Sequence, residues 1–283
     1  MTEVLRYAAF TDDPRGGNPA GIVLDAAGLD DTEMQRIAAE VGFSETAFLV
    51  ESTSEPGTFD VRYFAPSSEV PFCGHATIAS GVALGERRGA GGFRFRTKAG
   101  DVEVEAILDD GRAVATLTSV GPALADLEEP DLDSLLAALR YTRADLDPAL
   151  PPRVAYAGAW HPVVALADRA RLADLDYDFD ALNELMRRRG WTTVQIVWRE
   201  SPQLFHVRDP FPVGGVVEDP ATGAAAAAFG HYLRALDVIK PPTRITIRQG
   251  DDLGRPSVLT VDVDDRDPRL RVSGGAVDMA GLG

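Results

Sequence analysis

The spacing of hydrophobic residues predicts an amphipathic helix over residues 31–41. Its apolar side chains fall at the i, i+3, i+4 and i+7 positions of one helix face: Met34, Ile37, Ala38 and Val41. Asp30 is a candidate N-cap, Glu33 would complete a capping box with it, and Gly42 is suited to end the helix. One face of this helix is therefore expected to pack on a core.

Alternating polar and apolar residues predict strands before and after this helix. The segments VLRYAAF and AGIVL precede it, and TAFLVE and FDVRYF follow. Further on, FRFRTK, DVEVEA and AVATLT alternate with a period of two residues, as half-buried strands do. The chain closes with a similar series, RITIRQ, SVLTVDV and RLRVSG.

Two other predicted helices have no polar face. Residues 223–233 read GAAAAAFGHYL, and residues 74–84 read GHATIASGVAL. A helix that is apolar on all sides is buried on all sides. Each is therefore expected to lie at the centre of a sheet, with small residues such as Gly81 and Gly230 allowing the strands to come close.

The same plan occurs twice along the chain. EVPFCGHATIASGVAL, starting at Glu69, aligns with EDPATGAAAAAFGHYL, starting at Glu218, a separation of 149 residues. Shorter segments repeat at nearly the same separation: GFSETAFLV (42–50) with GWTTVQIVW (190–198), Asn18-Pro19 with His161-Pro162, and KAGD (98–101) with RQGD (248–251). Such a period is too long for a solenoid repeat and indicates a duplicated domain.

The duplication predicts two halves, residues 1–120 and 152–283. Residues 121–151 are expected to connect them and to contain a short helix, LDSLLAALR, and the last strand is a candidate to return to the first half. Many antiparallel or mixed strands with few helices indicate the α+β class. The predicted fold is two pseudo-symmetric domains, each a mixed β-sheet or barrel wrapped around a central apolar helix.

Composition and charge exclude several classes of partner. The formal net charge is −16 and the longest basic run is Arg187–Arg189, at the end of a predicted helix, so neither nucleic acid nor an anionic membrane is an expected partner. No stretch approaches the roughly 20 apolar residues that cross a bilayer, and the N-terminus lacks a signal-peptide profile. One cysteine, Cys73, fits a reducing compartment. The prediction is a cytoplasmic protein.

The starts of the two apolar helices are candidate anion sites. Each begins at a glycine, Gly74 or Gly223, behind a proline and near an acidic residue. The first backbone amides of a helix have no partner inside the helix and carry partial positive charge, so they bind anions without lysine or arginine. Two such starts facing each other across an interdomain cleft would hold a small carboxylate.

Three side chains near these helix starts are candidates to move a proton. Glu45 aligns with Thr193 and His75 aligns with Ala224, so the acid and base groups occur in only one half. Asp219 stands before the second helix and is suited to bind an amine or hydroxyl. General acid/base catalysis needs such groups within reach of the substrate. The other three histidines lack metal-ligand spacing, and no metal site is predicted.

These motifs, in this order, resemble the PhzF, or phenazine biosynthesis-like, family. The motifs that carry the resemblance are GNP (17–19), GFSET (42–46), FCGHAT (72–77), EDPATG (218–223) and VSGGAV (272–277). They span nearly the whole chain. The family is similar in fold to diaminopimelate epimerase, with two similar domains and the active site between them.

The resemblance implies a cofactor-independent isomerase similar to trans-2,3-dihydro-3-hydroxyanthranilate isomerase. A glutamate matching Glu45 would carry a proton between two carbons, while His75 and Asp219 would bind the substrate and relay protons. Backbone amides at Gly74 and Gly223 would hold the carboxylate. The further positions implied for the pocket are Asn18, Ser44, Cys73, Thr222 and Ala224. Members often form homodimers, so a homodimer is expected.

One departure from the family pattern leaves alternatives open. Ala224 stands where members commonly carry serine, so a hydroxyl donor to the substrate is missing. One alternative is an amino or imino acid epimerase, racemase or dehydratase that uses Cys73, since a helix start favours a thiolate. Its counterpart is Thr222, which argues against a racemase with two thiols. A second alternative is a protein that binds a small carboxylate without catalysis.

Overall fold

The computed structural model describes residues 2–281. The described chain contains seventeen β-strands and six α-helices. It divides into two compact units. Unit 1 comprises the chain up to Thr118 together with Ser273 onward, and unit 2 comprises Ser119–Val272.

Unit 1 contains two helices, the first eight strands of the chain and most of the last strand. Its helices are α1 (Asp31–Val41) and α2 (Gly74–Arg88). Its strands are β1 (Leu5–Ala9), β2 (Asn18–Val23), β3 (Glu45–Glu51), β4 (Thr58–Ala65), β5 (Ser68–Val70), β6 (Gly91–Thr97), β7 (Gly100–Asp109) and β8 (Arg112–Thr118), and β17 (Leu270–Asp278) enters it from unit 2.

The strands of unit 1 close into a barrel. Going round it, β1 pairs with β2, then β3, β4, β6, β7 and β8 follow, and β17 pairs with both β8 and β1. The β2–β3 and β4–β6 pairs are parallel, and the short β5 adds to β4. Closure leaves no free edge in this ring of strands.

The two helices that the hydrophobic pattern predicted in unit 1 are confirmed. In α1 the Asp30 side chain accepts a hydrogen bond from the Glu33 amide at 2.9 Å, and Gly42 ends the helix at a positive φ of 71°. In α2 every residue from His75 to Gly85 is buried, so the expected burial on all sides is confirmed there. The helix runs on to Arg88, and its last three residues are polar and exposed.

Unit 2 adds a layer of helices to its sheet. Its strands are β9 (Ala123–Asp126), β10 (Arg153–Tyr156), β11 (Trp160–Leu166), β12 (Gln195–Ser201), β13 (Leu204–Pro210), β14 (Glu218–Asp219), β15 (Thr243–Gln249) and β16 (Ser257–Val263). Its helices are α3 (Glu129–Leu139), α4 (Arg169–Ala173), α5 (Phe179–Arg189) and α6 (Gly223–Ala235). The strands pair in the order β9, β10, β11, β12, β13, β15, β16, with β11–β12 and β13–β15 parallel.

Residues 121–151, which were expected to connect two halves, are part of unit 2. The strand β9 pairs with β10, and α3 packs its leucines against Leu182, Leu185 and Met186 of α5. The physical reason is that α3 is amphipathic, and its apolar face needs a partner that a free connector would not have. The run Arg187–Arg189 does end a helix, followed by Gly190 in the left-handed conformation.

The predicted helix at 223–233 is present as α6. Its residues are buried nearly throughout, and Phe229 packs against Phe205 of β13 with ring centroids 4.9 Å apart. Among residues 2–281, every helix is too short or too polar to cross a membrane.

We expect Gly81→Ala to destabilise unit 1, whereas Gly91→Ala should not. A Cβ at Gly81 would lie 2.8 Å from Cγ1 of Val104 and 2.9 Å from Cβ of Ala115, but at Gly91 it would meet nothing within 4 Å. Overpacking costs about 1–3 kcal/mol, and alanine favours a helix over glycine by about 1 kcal/mol, so the net loss should be up to about 2 kcal/mol. Urea unfolding measures both variants, and equal free energies of unfolding would contradict the crowding.

Candidate active site

Six of the predicted residues meet where α2 begins. They are Asn18, Ser44, Glu45, Cys73, Gly74 and His75. Local structure places them there: Gly42 ends α1, and after a short turn β3 starts at Glu45 beside Ala20 of the parallel β2. The carboxylate therefore stands at the first residue of a strand, next to the start of the buried helix.

The imidazole of His75 is held on both nitrogens. The Asn18 amide nitrogen lies 3.2 Å from Nδ1, while the Ser44 hydroxyl and Glu45 Oε2 lie 3.3 and 3.4 Å from Nε2. An amide nitrogen only donates, so with Asn18 donating to Nδ1 the neutral ring carries its proton on Nε2. That proton faces the Glu45 carboxylate and the Ser44 hydroxyl.

The thiol of Cys73 joins the same cluster. Its Sγ lies 3.6 Å from Glu45 Oε2 and 3.4 Å from His75 Nδ1. The Glu45 side chain is 17% exposed and the His75 side chain only 7%, so the carboxylate is the group that a bound molecule reaches more easily. A carboxylate, an imidazole and a thiol in contact form an arrangement that can exchange protons with a substrate.

The cluster also has the composition of a metal site. One donor atom each from Glu45, Cys73 and His75 lies within 4.8 Å of the others. Thiolate and imidazole are ligands that zinc and other borderline metals prefer. The prediction of no metal site stays a prediction; it rested on histidine spacing, which does not reveal donors brought together from a strand and a helix start.

The first turn of α2 lacks a side-chain cap. Cys73 stands at the N-cap but its side chain makes no capping hydrogen bond. The carbonyl of Cys73 accepts from the Thr77 amide at 3.1 Å and from the Thr77 hydroxyl at 2.7 Å. The amides of residues 74–76 precede the first helical hydrogen bond and have no acceptor within the helix. They are placed to bind an anion beside Glu45.

In unit 2, Asp219 and Thr222 lie together before α6. The Thr222 hydroxyl donates to Asp219 Oδ2 at 2.6 Å, and like Cys73 it makes no capping bond to its helix. Gln249 binds this loop at three points: its Oε1 accepts from the Thr222 amide, and its Nε2 donates to the Asp219 carbonyl and the Thr222 hydroxyl. Gly223 and Ala224 are the first two residues of α6.

An arginine–glutamate pair precedes the buried helix in each unit. Arg62 binds Glu69 through two bonds of 2.8 Å, and Arg208 binds Glu218 at 2.6 to 3.1 Å. Arg62 lowers the pKa of Glu69 to about 2. The side chain of Glu218 is only 1% exposed, and burial raises its pKa although Arg208 opposes the shift.

The position that matches Glu45 has no acid in unit 2. Thr193 is there, and its hydroxyl lies 2.8 Å from Nδ1 of His161. Burial lowers the pKa of His161 to about 4, so this imidazole is neutral near neutral pH. The acid and base groups at the matched positions are therefore confined to unit 1.

Sequence reasoning missed three residues that position this machinery. They are Arg62, Arg208 and Gln249. A signal for each was present: Arg62 and Arg208 occupy matching places in FDVRYFAP and FHVRDPFP, and Gln249 replaces Ala99 where RQGD aligns with KAGD. The same difference between halves that singled out Glu45 would have singled out Gln249.

Comparison with known proteins identifies the family of the chain. The model of the phenazine biosynthesis-like proteins matches residues 7–281. The chain belongs to that family. A relative named uncharacterized isomerase YfhB, from Bacillus subtilis (strain 168), is 32% identical over 279 residues, covering 96% of this chain and 94% of the relative. The trans-2,3-dihydro-3-hydroxyanthranilate isomerase of Pseudomonas chlororaphis is 32% identical over 282 residues, covering 95% and 94%.

Solved structures of similar fold support the assignment of the chain to this family. The Bacillus anthracis phenazine biosynthesis protein of the PhzF family superposes with a TM-score of 0.86 at 27% identity, covering 98% of this chain and 96% of the other. A probable proline racemase from Agrobacterium radiobacter K84 shares the fold with a TM-score of 0.68 at 15% identity, covering 98% and 91%. The chain is thus an isomerase-type enzyme with the PhzF and proline racemase type of fold.

Proposed function

We propose that the protein is a cofactor-independent isomerase that moves a proton on a small carboxylate, with Glu45 as the base. The supporting observation is the position of the Glu45 carboxylate, 3.4 Å from His75 Nε2, partly exposed, and beside the uncapped start of α2. A substrate carboxylate bound by the amides of that first turn would bring its adjacent carbons near Glu45. His75 would donate its Nε2 proton to a substrate oxygen or to the carboxylate.

The resemblance to the family also implies substrate contacts for residues near the start of α6. We propose that Asp219 accepts a hydrogen bond from a substrate amine or hydroxyl, and that the amide of Gly223 helps to hold the carboxylate. Asn18 and Ser44 would orient His75, while Cys73 and Thr222 would line the two helix starts. A substrate with a carboxylate, an amine and a hydroxyl fits these contacts, and trans-2,3-dihydro-3-hydroxyanthranilate is our proposed example. The name of the Pseudomonas chlororaphis relative states this compound as its substrate. We also propose duplicated, pseudo-symmetric domains, a homodimer and a cytoplasmic location.

Proton NMR in heavy water tests this function. The protein is incubated separately with dihydro-hydroxyanthranilate, proline, hydroxyproline and diaminopimelate. Deuterium entering the first compound, with formation of an isomer, is the expected result. Exchange confined to the α-carbon of an amino acid would instead support the second candidate below.

The second candidate is an amino or imino acid epimerase or dehydratase that uses Cys73. The observation in its favour is that the thiol contacts both Glu45 and His75, at 3.6 and 3.4 Å, so either could take its proton. Thr222 occupies the matching place in unit 2, which disfavours a mechanism with two thiols.

Cys73→Ser separates the two candidates. If Glu45 is the base, the variant should lose less activity than Glu45→Gln, because serine keeps a small polar group at the helix start. If the thiol is the base, the variant should be as inactive as Glu45→Gln or more so, because a serine hydroxyl is a far weaker acid than a thiol. The exchange rate in heavy water, measured for both variants, gives the order.

A further inference from the structure

A buried aspartate that the proposed reaction does not use lies next to Asp219. Asp209 is in β13, directly opposite Asp219 in the antiparallel pair with β14. It is 0% exposed. Among residues 2–281, no group makes a hydrogen bond to either of its carboxylate oxygens. An ionised carboxylate in such a place would lose its hydration, and the nearby Thr222 and Gln249 side chains would compensate only part of that loss.

The charged groups around Asp209 are themselves carboxylates. Asp219 lies opposite Asp209 on β14, while the neighbouring Glu218 lies opposite Pro210 and is bound to Arg208. The strand β12 pairs with β13 as far as Ile196 opposite Arg208. The groups from other elements that act on Asp209, Thr222 before α6 and Gln249 in β15, are neutral. Burial, then Asp219 and Glu218, raise the pKa of Asp209 well above its usual value, and Thr222 and Gln249 oppose this only partly.

We propose that Asp209 and Asp219 share one proton, that Asp209 holds it, and that Asp209 is thereby a positioning residue for Asp219. Two neighbouring carboxyl groups do not both ionise readily, and the more buried member keeps the proton. Asp209 is fully buried and Asp219 is partly exposed. A neutral Asp209 leaves Asp219 as the single anion beside the helix start, where it accepts from Thr222.

The matching position in unit 1 supports a neutral group here. Aligning FDVRYFAP with FHVRDPFP places Tyr63 where unit 2 has Asp209. Tyr63 is fully buried, and its hydroxyl lies 2.6 Å from the hydroxyl of Thr77 on α2. Burial raises the pKa of Tyr63, which keeps the phenol neutral. Each unit therefore has a buried group with an O–H near the start of its buried helix, and burial favours the neutral form of both.

A protonated Asp209 makes stability depend on pH in a defined direction. The folded chain keeps the Asp209 proton at pH values where the unfolded chain has lost it. The contribution of Asp209 to stability should therefore be largest below the ordinary aspartate pKa of 3.8, fall as the pH rises towards its folded-state pKa, and level off above it. One retained proton changes the unfolding equilibrium constant by about tenfold per pH unit within that window.

Asp209→Asn tests this without any measurement of turnover. Urea unfolding across the pH range should give a difference in the free energy of unfolding between wild type and variant that changes with the one-proton slope, because asparagine has the same shape and cannot ionise. Asp219→Asn is the matched control: it keeps the buried acid, so the slope should persist but end at a lower pH. Parallel curves for wild type and Asp209→Asn would overturn the proposal.

A second measurement covers the case in which Asp209→Asn does not fold. In wild-type protein labelled with ¹³C-aspartate, one carboxyl carbon should keep the chemical shift of the protonated form at pH values where the other aspartates have lost their protons. A titration in which every aspartate ionises together in the ordinary range would overturn the proposal.

The link to catalysis rests on the proposed function and has its own readout. When the pH exceeds the raised pKa of Asp209, its charge repels Asp219 and should lower kcat/KM, giving a falling limb on the high-pH side of the profile. Asp209→Asn should remove that limb, whereas a purely structural role would lower the whole profile without changing its shape. A limb that persists in the variant would contradict the role of Asp209. If the wild type shows no turnover at all, the proposed function is contradicted. The unfolding experiment then still decides the role of Asp209.

Discussion

Glu45→Gln is expected to reduce kcat about 10²–10⁴-fold with dihydro-hydroxyanthranilate, the range typical for loss of a general acid/base group. The carboxylate is the only group in its cluster that combines partial exposure with contacts to both His75 and Cys73 within the described chain. Glutamine keeps the shape and the hydrogen bonds but cannot carry a proton. Steady-state kinetics measures the loss.

Glu40→Gln is the matched control for this variant. Glu40 lies on the exposed face of α1, where it pairs with Arg36 at 2.6 Å, and a change there should leave kcat as in the wild type. The free energy of unfolding of both variants, measured with urea, should equal that of the wild type to within about 1 kcal/mol. If Glu45→Gln and Glu40→Gln turn over alike, Glu45 is not the base.

Arg208→Ala is expected to destabilise unit 2 by about 3–5 kcal/mol, because it leaves the buried Glu218 carboxylate without its partner. The side chain of Glu218 is 1% exposed, and Arg208 binds it through three contacts of 2.6 to 3.1 Å. Arg208 also donates to the Ala173 carbonyl at 2.9 Å, a bond that the variant loses as well. Urea unfolding measures the free energy change.

Arg62→Ala provides the comparison, since it breaks the matching pair in unit 1. Glu69 keeps 16% exposure and a contact with Lys98, so the expected cost is about 1 kcal/mol. Adding Glu218→Leu to Arg208→Ala should recover part of the loss, because no buried charge remains. Equal costs for the two arginine variants would show that burial of Glu218 is not the cause.

Patterns local in sequence predicted the elements that hold the site. The apolar runs predicted two helices buried on nearly all sides, and Asp30, Glu33 and Gly42 predicted the ends of α1. These features depend on residues within one or two turns of each other, so the sequence alone contains the information.

The candidate site followed from differences between the halves. Glu45 and His75 were singled out because Thr193 and Ala224 stand in their places, and the structure brings both into one cluster with Cys73. Their distances did not follow, because they depend on how a strand start and a helix start pack in unit 1.

Contacts between distant segments were beyond the sequence. The three bonds of Gln249 to the Asp219–Thr222 loop span about 30 residues, and the burial of Asp209 depends on β12, β13, β14 and β15 together. Residues 121–151 were predicted to be a connector because the local sequence of α3 does not show that it packs against α5. Periodicity reveals that a face is apolar, but the fold decides what covers it.

The most direct test of the central claim is to separate binding from chemistry in Glu45→Gln. The variant is titrated with dihydro-hydroxyanthranilate by calorimetry, and the same saturated sample is then followed by proton NMR in heavy water beside the wild type. We expect nearly unchanged affinity and no deuterium in the compound, because the helix-start amides still bind the carboxylate while the proton carrier is gone. Deuterium uptake by the variant at the wild-type rate would contradict the assignment of Glu45 as the base.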